Sequence, residues 1–86
     1  LPMPALTEER RREFAKVAKK NGEECKVAIR KHRHDAKDML DALEKDGDVG
    51  RDDADRGRKE LEDIIKAANA DVDAIVAKKE REILEV

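Results

Sequence analysis

The chain is 86 residues long and 49% charged, with 20 Lys and Arg against 22 Asp and Glu and a formal net charge of −2. That length allows at most one small domain. Phe14 is the only aromatic and twelve of the apolar residues are Ala, so the large apolar side chains are too few to close a globule unaided. Ala, Glu, Lys, Leu, Arg and Asp dominate, which is the composition of long helices or coiled coils. Disorder is the competing reading of so much charge, and sustained apolar periodicity argues against it. The fold class expected is all-α.

The chain opens on L-P-M-P-A-L, without an initiating Met. Pro2 and Pro4 disfavour helix in the residues before them, so Leu1–Leu6 are expected to be extended, like a linker from within a longer protein. Thr7 is a good N-cap, and Glu8 and Glu9 sit where the helix dipole favours acids. The full capping box is absent because Arg10 stands at its third position.

A first helix is expected over residues 8–45. Its apolar stripe is Phe14, Val17, Ala18, Cys25, Ala28, Ile29, Ala36, Met39, Leu40 and Leu43. Asn21-Gly22 is a common turn dipeptide and challenges this reading. Phase decides against a break. Phe14/Val17/Ala18 recurs as Cys25/Ala28/Ile29 and then as Ala36/Met39/Leu40, with a shift close to three turns at ~3.6 residues per turn. An unbroken helix keeps that register. Gly22 lies on the stripe, where a neighbouring helix approaching closely would account for it.

Asp46-Gly47-Asp48-Val49-Gly50 reads as a turn. A second helix is expected over residues 51–86, with the stripe Ala54, Leu61, Ile64, Ile65, Ala68, Val72, Ile75, Val76 and Ile83. The short connection makes the helices antiparallel neighbours, each over ~50 Å long at ~1.5 Å per residue. The whole chain, residues 1–86, is read as one helical domain, with 1–7 as linker and N-cap and 46–50 as the turn. Two such helices cover only part of each other's stripe. A missing element is therefore inferred, either a third helix or a second copy of the hairpin.

Charge is segregated. The first helix carries twelve Lys and Arg against nine Asp and Glu, and the second eight against eleven. Arg12, Lys16, Lys19, Lys26, Arg30, Arg33 and Lys37 form one basic stripe beside the apolar face, interrupted by Glu23. Glu13, Glu24, Asp35 and Asp38 lie on the opposite flank. The plain reading is a solvated face with weak Glu–Lys pairs. The sharper reading is an edge that contacts phosphates and gives salt-dependent affinity for an RNA backbone. Arg suits bidentate phosphate contact. Without aromatics there is no stacking platform, so RNA read by shape and backbone fits better than single-stranded base readout.

Catalytic chemistry is not expected. There is no Ser, and Thr7 is the only hydroxyl residue. No Gly-rich phosphate loop, C-x-x-C pair or nucleophile elbow is present. His32 and His34 point to different sides of a helix and cannot jointly chelate a metal. His32 reads as a core histidine on the apolar stripe, and His34 as solvent-facing. The single Cys25 excludes an intrachain disulfide and reads as a small buried apolar residue. No cofactor, signal peptide or membrane span is expected, and a cytoplasmic, reducing compartment is the default.

T-E-E-R-R-R-E-F at Thr7–Phe14, G-E-E-C-K-V-A-I-R-K-H-R-H-D-A at Gly22–Ala36 and K-K-E-R-E-I-L-E-V at Lys78–Val86 together resemble the ribosome recycling factor family, across essentially all 86 residues. That family is shaped like a transfer RNA. Its first domain is a long three-helix bundle, with a small β-rich domain inserted after the first helix. The resemblance implies that this chain supplies two of the three helices of that bundle, as a long antiparallel two-helix hairpin. It also implies a role in ribosome recycling after termination, with elongation factor G and GTP hydrolysis, and no active site. The first domain of the family binds large-subunit rRNA through basic residues of its second helix. By position, the family's R-x-x-R arginines fall on Arg30 and Arg33, with Lys26, Lys37 and Lys19 as supporting phosphate contacts. The chain departs from the family's pattern at His32, usually apolar, at His34, commonly Arg, and at Gly50, usually a Ser cap. The alternative function is a structural assembly module that self-associates through its apolar stripes.

Overall fold

The computed structural model describes residues 7–85, so the extended start expected for Leu1–Leu6 lies outside the described residues. Two helices, α1 (Glu8–Lys45) and α2 (Arg51–Leu84), run antiparallel, and no strand occurs among the described residues. The hairpin is a rod of 70 × 15 × 14 Å with a radius of gyration of 19.8 Å. A compact chain of this length would have about 12 Å. The elongation follows from two helices with nothing to fold back over them.

Local chemistry sets the helix ends. Thr7 is extended and its Oγ1 accepts from the Arg10 N–H at 3.1 Å, satisfying one of the donors left open in the first turn. Glu8 and Glu9 occupy that turn, and Arg12 donates back to Glu8 at 2.6 Å. α1 then passes through Asn21-Gly22 without a break, as the phase of the apolar triplets predicts. It stops at Gly47, which takes φ +79°. The Gly47 N–H donates to Glu44 O at 3.1 Å and the Asp48 N–H to Leu43 O at 3.0 Å. This is a Schellman closure, which needs a residue at ease in the left-handed region. α2 starts from Gly50, which offers no side-chain cap, with Asp52 and Asp53 in its first turn. It ends at Leu84 with Glu85 extended, and the expected end at Val86 lies outside the described residues.

The seam between the helices is thin. Ala15, Gly22 and Ala54 are its buried residues, and no large side chain is fully buried among the described residues. Two glycines let the backbones approach. A Cβ on Gly22 would lie 2.5 Å from Val76 Cγ2, and a Cβ on Gly57 would lie 3.1 Å from Leu40 Cδ2. Each helix thus receives a branched side chain of its partner at a glycine.

α2 covers only one side of the apolar stripe of α1. Ala18, Ile29 and Leu40 turn toward α2 and are partly buried, whereas Val17, Ala28 and Met39, each one residue earlier, stay exposed. On α2, Ile64 and Ile75 are likewise exposed. Phe14, Val17, Cys25, Val72, Ile75 and Ile83 line an open groove of about 500 Å³ along this uncovered side. Cys25 and His32 lie on the same side and are exposed. Their expected burial is corrected here: the stripe is wider than one neighbouring helix can cover.

Candidate nucleic-acid interface

The basic edge of α1 consists of two parallel rows. The inner row, Lys19, Lys26 and Arg33, repeats every seven residues and faces α2. The outer row, Lys16, Glu23, Arg30 and Lys37, has the same spacing and is exposed; of its four residues Glu23 borders the cleft between the helices. Seven residues is nearly two turns, so each row runs almost parallel to the helix axis.

Each cation of the inner row meets an acid of α2. Lys19 Nζ lies 3.9 Å from Glu80 Oε2. Lys26 pairs with Asp73. Arg33 donates from Nε to Glu62 Oε1 at 2.8 Å, and its Nη2 forms an ion-pair contact of 2.7 Å with the same oxygen. Toward the turn the polarity reverses. There Arg58 of α2 donates to Asp41 of α1 at 2.8 Å and to Glu44 at 3.0 Å, and to Asp55 of its own helix at 2.7 Å. Hydrogen bonding to Asp73 raises the Lys26 pKa above its ordinary value, outweighing the opposing desolvation. Hydrogen bonds to Asp41 and then Glu44 raise that of Arg58. Both contacts favour the charged form of the side chain.

The outer row is different. Lys16, Arg30 and Lys37 are exposed and form no ion pair or side-chain hydrogen bond among the described residues. The five candidates for phosphate contact thus divide. Lys19, Lys26 and Arg33 are engaged across the seam, and Arg30 and Lys37 point to solvent. All five share one continuous side of the rod. Asp35 and Asp38 lie on the opposite flank, where His34 Nε2 sits 3.4 Å from Asp38 Oδ2. His34 is exposed, in keeping with its sequence reading, but this contact draws it toward the acidic flank.

Sequence reasoning assigned no role to the acids of α2 that face this edge, Glu62, Asp73 and Glu80. A signal for two of them was available. Lys19 and Glu80, like Lys26 and Asp73, are symmetric about the Val49–Gly50 bond, so folding the sequence at the turn brings them together. No group of three His, Cys, Asp or Glu residues is placed to hold a metal ion among the described residues. No described helix is long and apolar enough to cross a membrane.

Comparison with known proteins gives one consistent result. The family model for ribosome recycling factor matches residues 1–84. The chain is 59% identical over 86 residues to the ribosome-recycling factor of Sorangium cellulosum, covering 100% of this chain and 46% of that protein. It is 49% identical over 86 residues to the Bifidobacterium adolescentis protein of that name, covering 100% of this chain and 47% of the relative. It is 53% identical over 83 residues to the Streptomyces coelicolor one, covering 96% and 45%. The chain therefore spans about half the length of the curated relatives it matches. With a family match over nearly its full length and an all-helical hairpin, the chain belongs to the ribosome recycling factor family.

Proposed function

We propose that this chain is the ribosome-binding part of a recycling factor, and that it contacts large-subunit rRNA through the basic edge of α1. The observation that carries this reading is the outer row. Arg30 and Lys37 stand exposed and uncompensated beside Arg33, on a side of the rod set apart from the acidic flank. Like charges three and four residues apart on a helix repel one another, and a bound phosphate would relieve that repulsion. The edge is nearly straight and has no aromatic neighbour on which a base could stack. A phosphate backbone of fixed shape suits it. In this reading the complete factor works with elongation factor G after termination in the cytoplasm, and the open groove along Phe14, Val17 and Ile75 receives the first long helix of the family's bundle. The chain acts as a binding module, with no catalytic group or cofactor of its own.

The test is co-sedimentation with isolated large ribosomal subunits over a salt series. Saturable binding that weakens with salt, and weakens further in Arg30→Ala/Arg33→Ala but not in Asp35→Asn/Asp38→Asn, supports the reading. Equal loss in both variants contradicts it.

The uncovered groove favours a second reading, in which two copies of the hairpin associate through these faces. A molar mass that doubles with concentration, insensitive to salt, would support it.

A further inference from the structure

Arg33 differs from the other cations of the inner row in what its pairing leaves available. An ammonium is a compact charge with three rotatable donors, so Asp73 and Glu80 offset Lys26 and Lys19 without fixing a direction. A guanidinium has five N–H donors in a rigid plane. Glu62 accepts the Nε–H of Arg33 on one oxygen, and that oxygen also lies 2.7 Å from Nη2. Both contacts lie on the same edge of the guanidinium plane. One Nη1–H and the second Nη2–H form the distal edge, the remaining Nη1–H points back toward Cδ, and none of the three has a partner among the described residues.

We infer that Glu62 is a positioning residue of the RNA-facing edge: it grips one side of the Arg33 guanidinium and presents the free side, next to Arg30, as a preset fork for a phosphate. The inference rests on the proposed contact between this edge and rRNA, and it names a residue on the other helix as part of that contact. An exposed arginine loses considerable side-chain freedom when it is immobilised on binding. Glu62 removes part of that loss in advance, because it sits on α2 while Arg33 sits on α1 and the seam fixes the distance between them. The opposing effect is repulsion between the Glu62 carboxylate and a phosphate. That carboxylate is exposed and already faces the arginine. The arginine it grips offsets its charge, and raised salt weakens what repulsion is left but leaves the orientation of the guanidinium unchanged.

The two effects give opposite results in a pair of variants. Glu62→Gln removes the charge but keeps an oxygen that can accept from Arg33. Glu62→Ala removes both. If Glu62 positions Arg33, Glu62→Ala weakens binding to isolated large ribosomal subunits by about three- to tenfold, the effect of one side chain that must be immobilised on binding. Glu62→Gln then lies close to the parent chain. The loss persists at raised salt and vanishes in an Arg33→Ala background, where there is nothing left to position. If both variants bind equally well or more tightly than the parent, Glu62 is only a competing counter-charge and the inference is overturned. If Glu62→Ala costs as much with Arg33→Ala as without it, Glu62 acts through the fold and the inference is again overturned. A chain in which Arg33→Ala itself has no effect contradicts the underlying RNA contact, a result distinct from either of these.

Discussion

Arg58 of α2 reaches back across the hairpin to Asp41 of α1, donating from Nη2 at 2.8 Å and from Nε at 3.1 Å. This contact reverses the order found further from the turn, where the cation is on α1 and the acid on α2. A ladder of uniform polarity would tolerate sliding one helix by two turns. A ladder that changes sign does not, because sliding brings like charges together. Arg58 therefore fixes the register of two helices whose apolar seam is mostly small residues. Arg58→Glu places a fourth carboxylate among Asp41, Glu44 and Asp55. It is expected to lower the melting temperature, with a smaller loss at 1 M salt, and Asp41→Arg in the same chain should restore part of it. Circular dichroism melts at two salt concentrations check this.

The two seam glycines should respond oppositely to the same substitution. Ala is favoured over Gly inside a helix by about 1 kcal/mol. At Gly22 the new methyl would meet the stiff, β-branched Val76 at 2.5 Å, and overpacking of that kind costs about 1–3 kcal/mol. At Gly57 it would meet the far end of Leu40 at 3.1 Å, which can turn away. Gly22→Ala is expected to destabilise the hairpin by about 1 kcal/mol net, and Gly57→Ala to leave it unchanged or slightly more stable. Urea denaturation of the two variants compares them directly.

The Lys26–Asp73 pair has a defined pH signature. The folded-state pKa of Lys26 is raised above 10.5, so folding favours the protonated form. The contribution is complete below the ordinary lysine pKa and is lost as pH rises through the raised one. Lys26→Met should therefore melt lower than the parent chain at pH 7, and the gap should close above pH ~10.5. A gap that stays constant to alkaline pH would assign the effect to packing of the lysine stem instead.

The stripe that α2 leaves uncovered should tolerate polar substitution in the isolated chain. Ile75 and Met39 are 61% and 66% exposed, whereas Ala54 is fully buried. Ile75→Lys is expected to change stability by less than about 0.5 kcal/mol. Ala54→Leu should cost about 1–3 kcal/mol by overpacking. If two copies associate through the groove, Ile75→Lys also removes the concentration dependence of the melt, which sedimentation equilibrium would show independently.

Much of the fold is legible in the sequence because its signals are local. The triplets led by Phe14, Cys25 and Ala36 keep helical phase across Asn21-Gly22, and the α1 helix follows them. Gly47 ends that helix for a conformational reason visible in the dipeptide Asp46-Gly47. What the sequence concealed depends on which side of the stripe is covered. Nothing local distinguishes Val17 from Ala18, yet α2 packs on one and leaves the other open. The same ambiguity led Cys25 and His32 to be read as core residues. The basic edge was visible as a stripe, but its division into paired and unpaired rows was not. That division depends on Glu62, Asp73 and Glu80, which lie beyond the turn and matter only once the hairpin register is known.

The most direct test of the RNA-facing edge is the affinity of this chain for isolated large ribosomal subunits, measured across a salt series beside Arg30→Ala and Arg33→Ala. Hydrogen bonds from an arginine to a charged phosphate contribute about 1.5–3 kcal/mol each, so each substitution should weaken binding by about tenfold or more. Each should also make the dependence on log salt shallower by about one unit. Binding that is unchanged in both variants, or that does not depend on salt, would contradict the account and leave the hairpin without an RNA-facing edge.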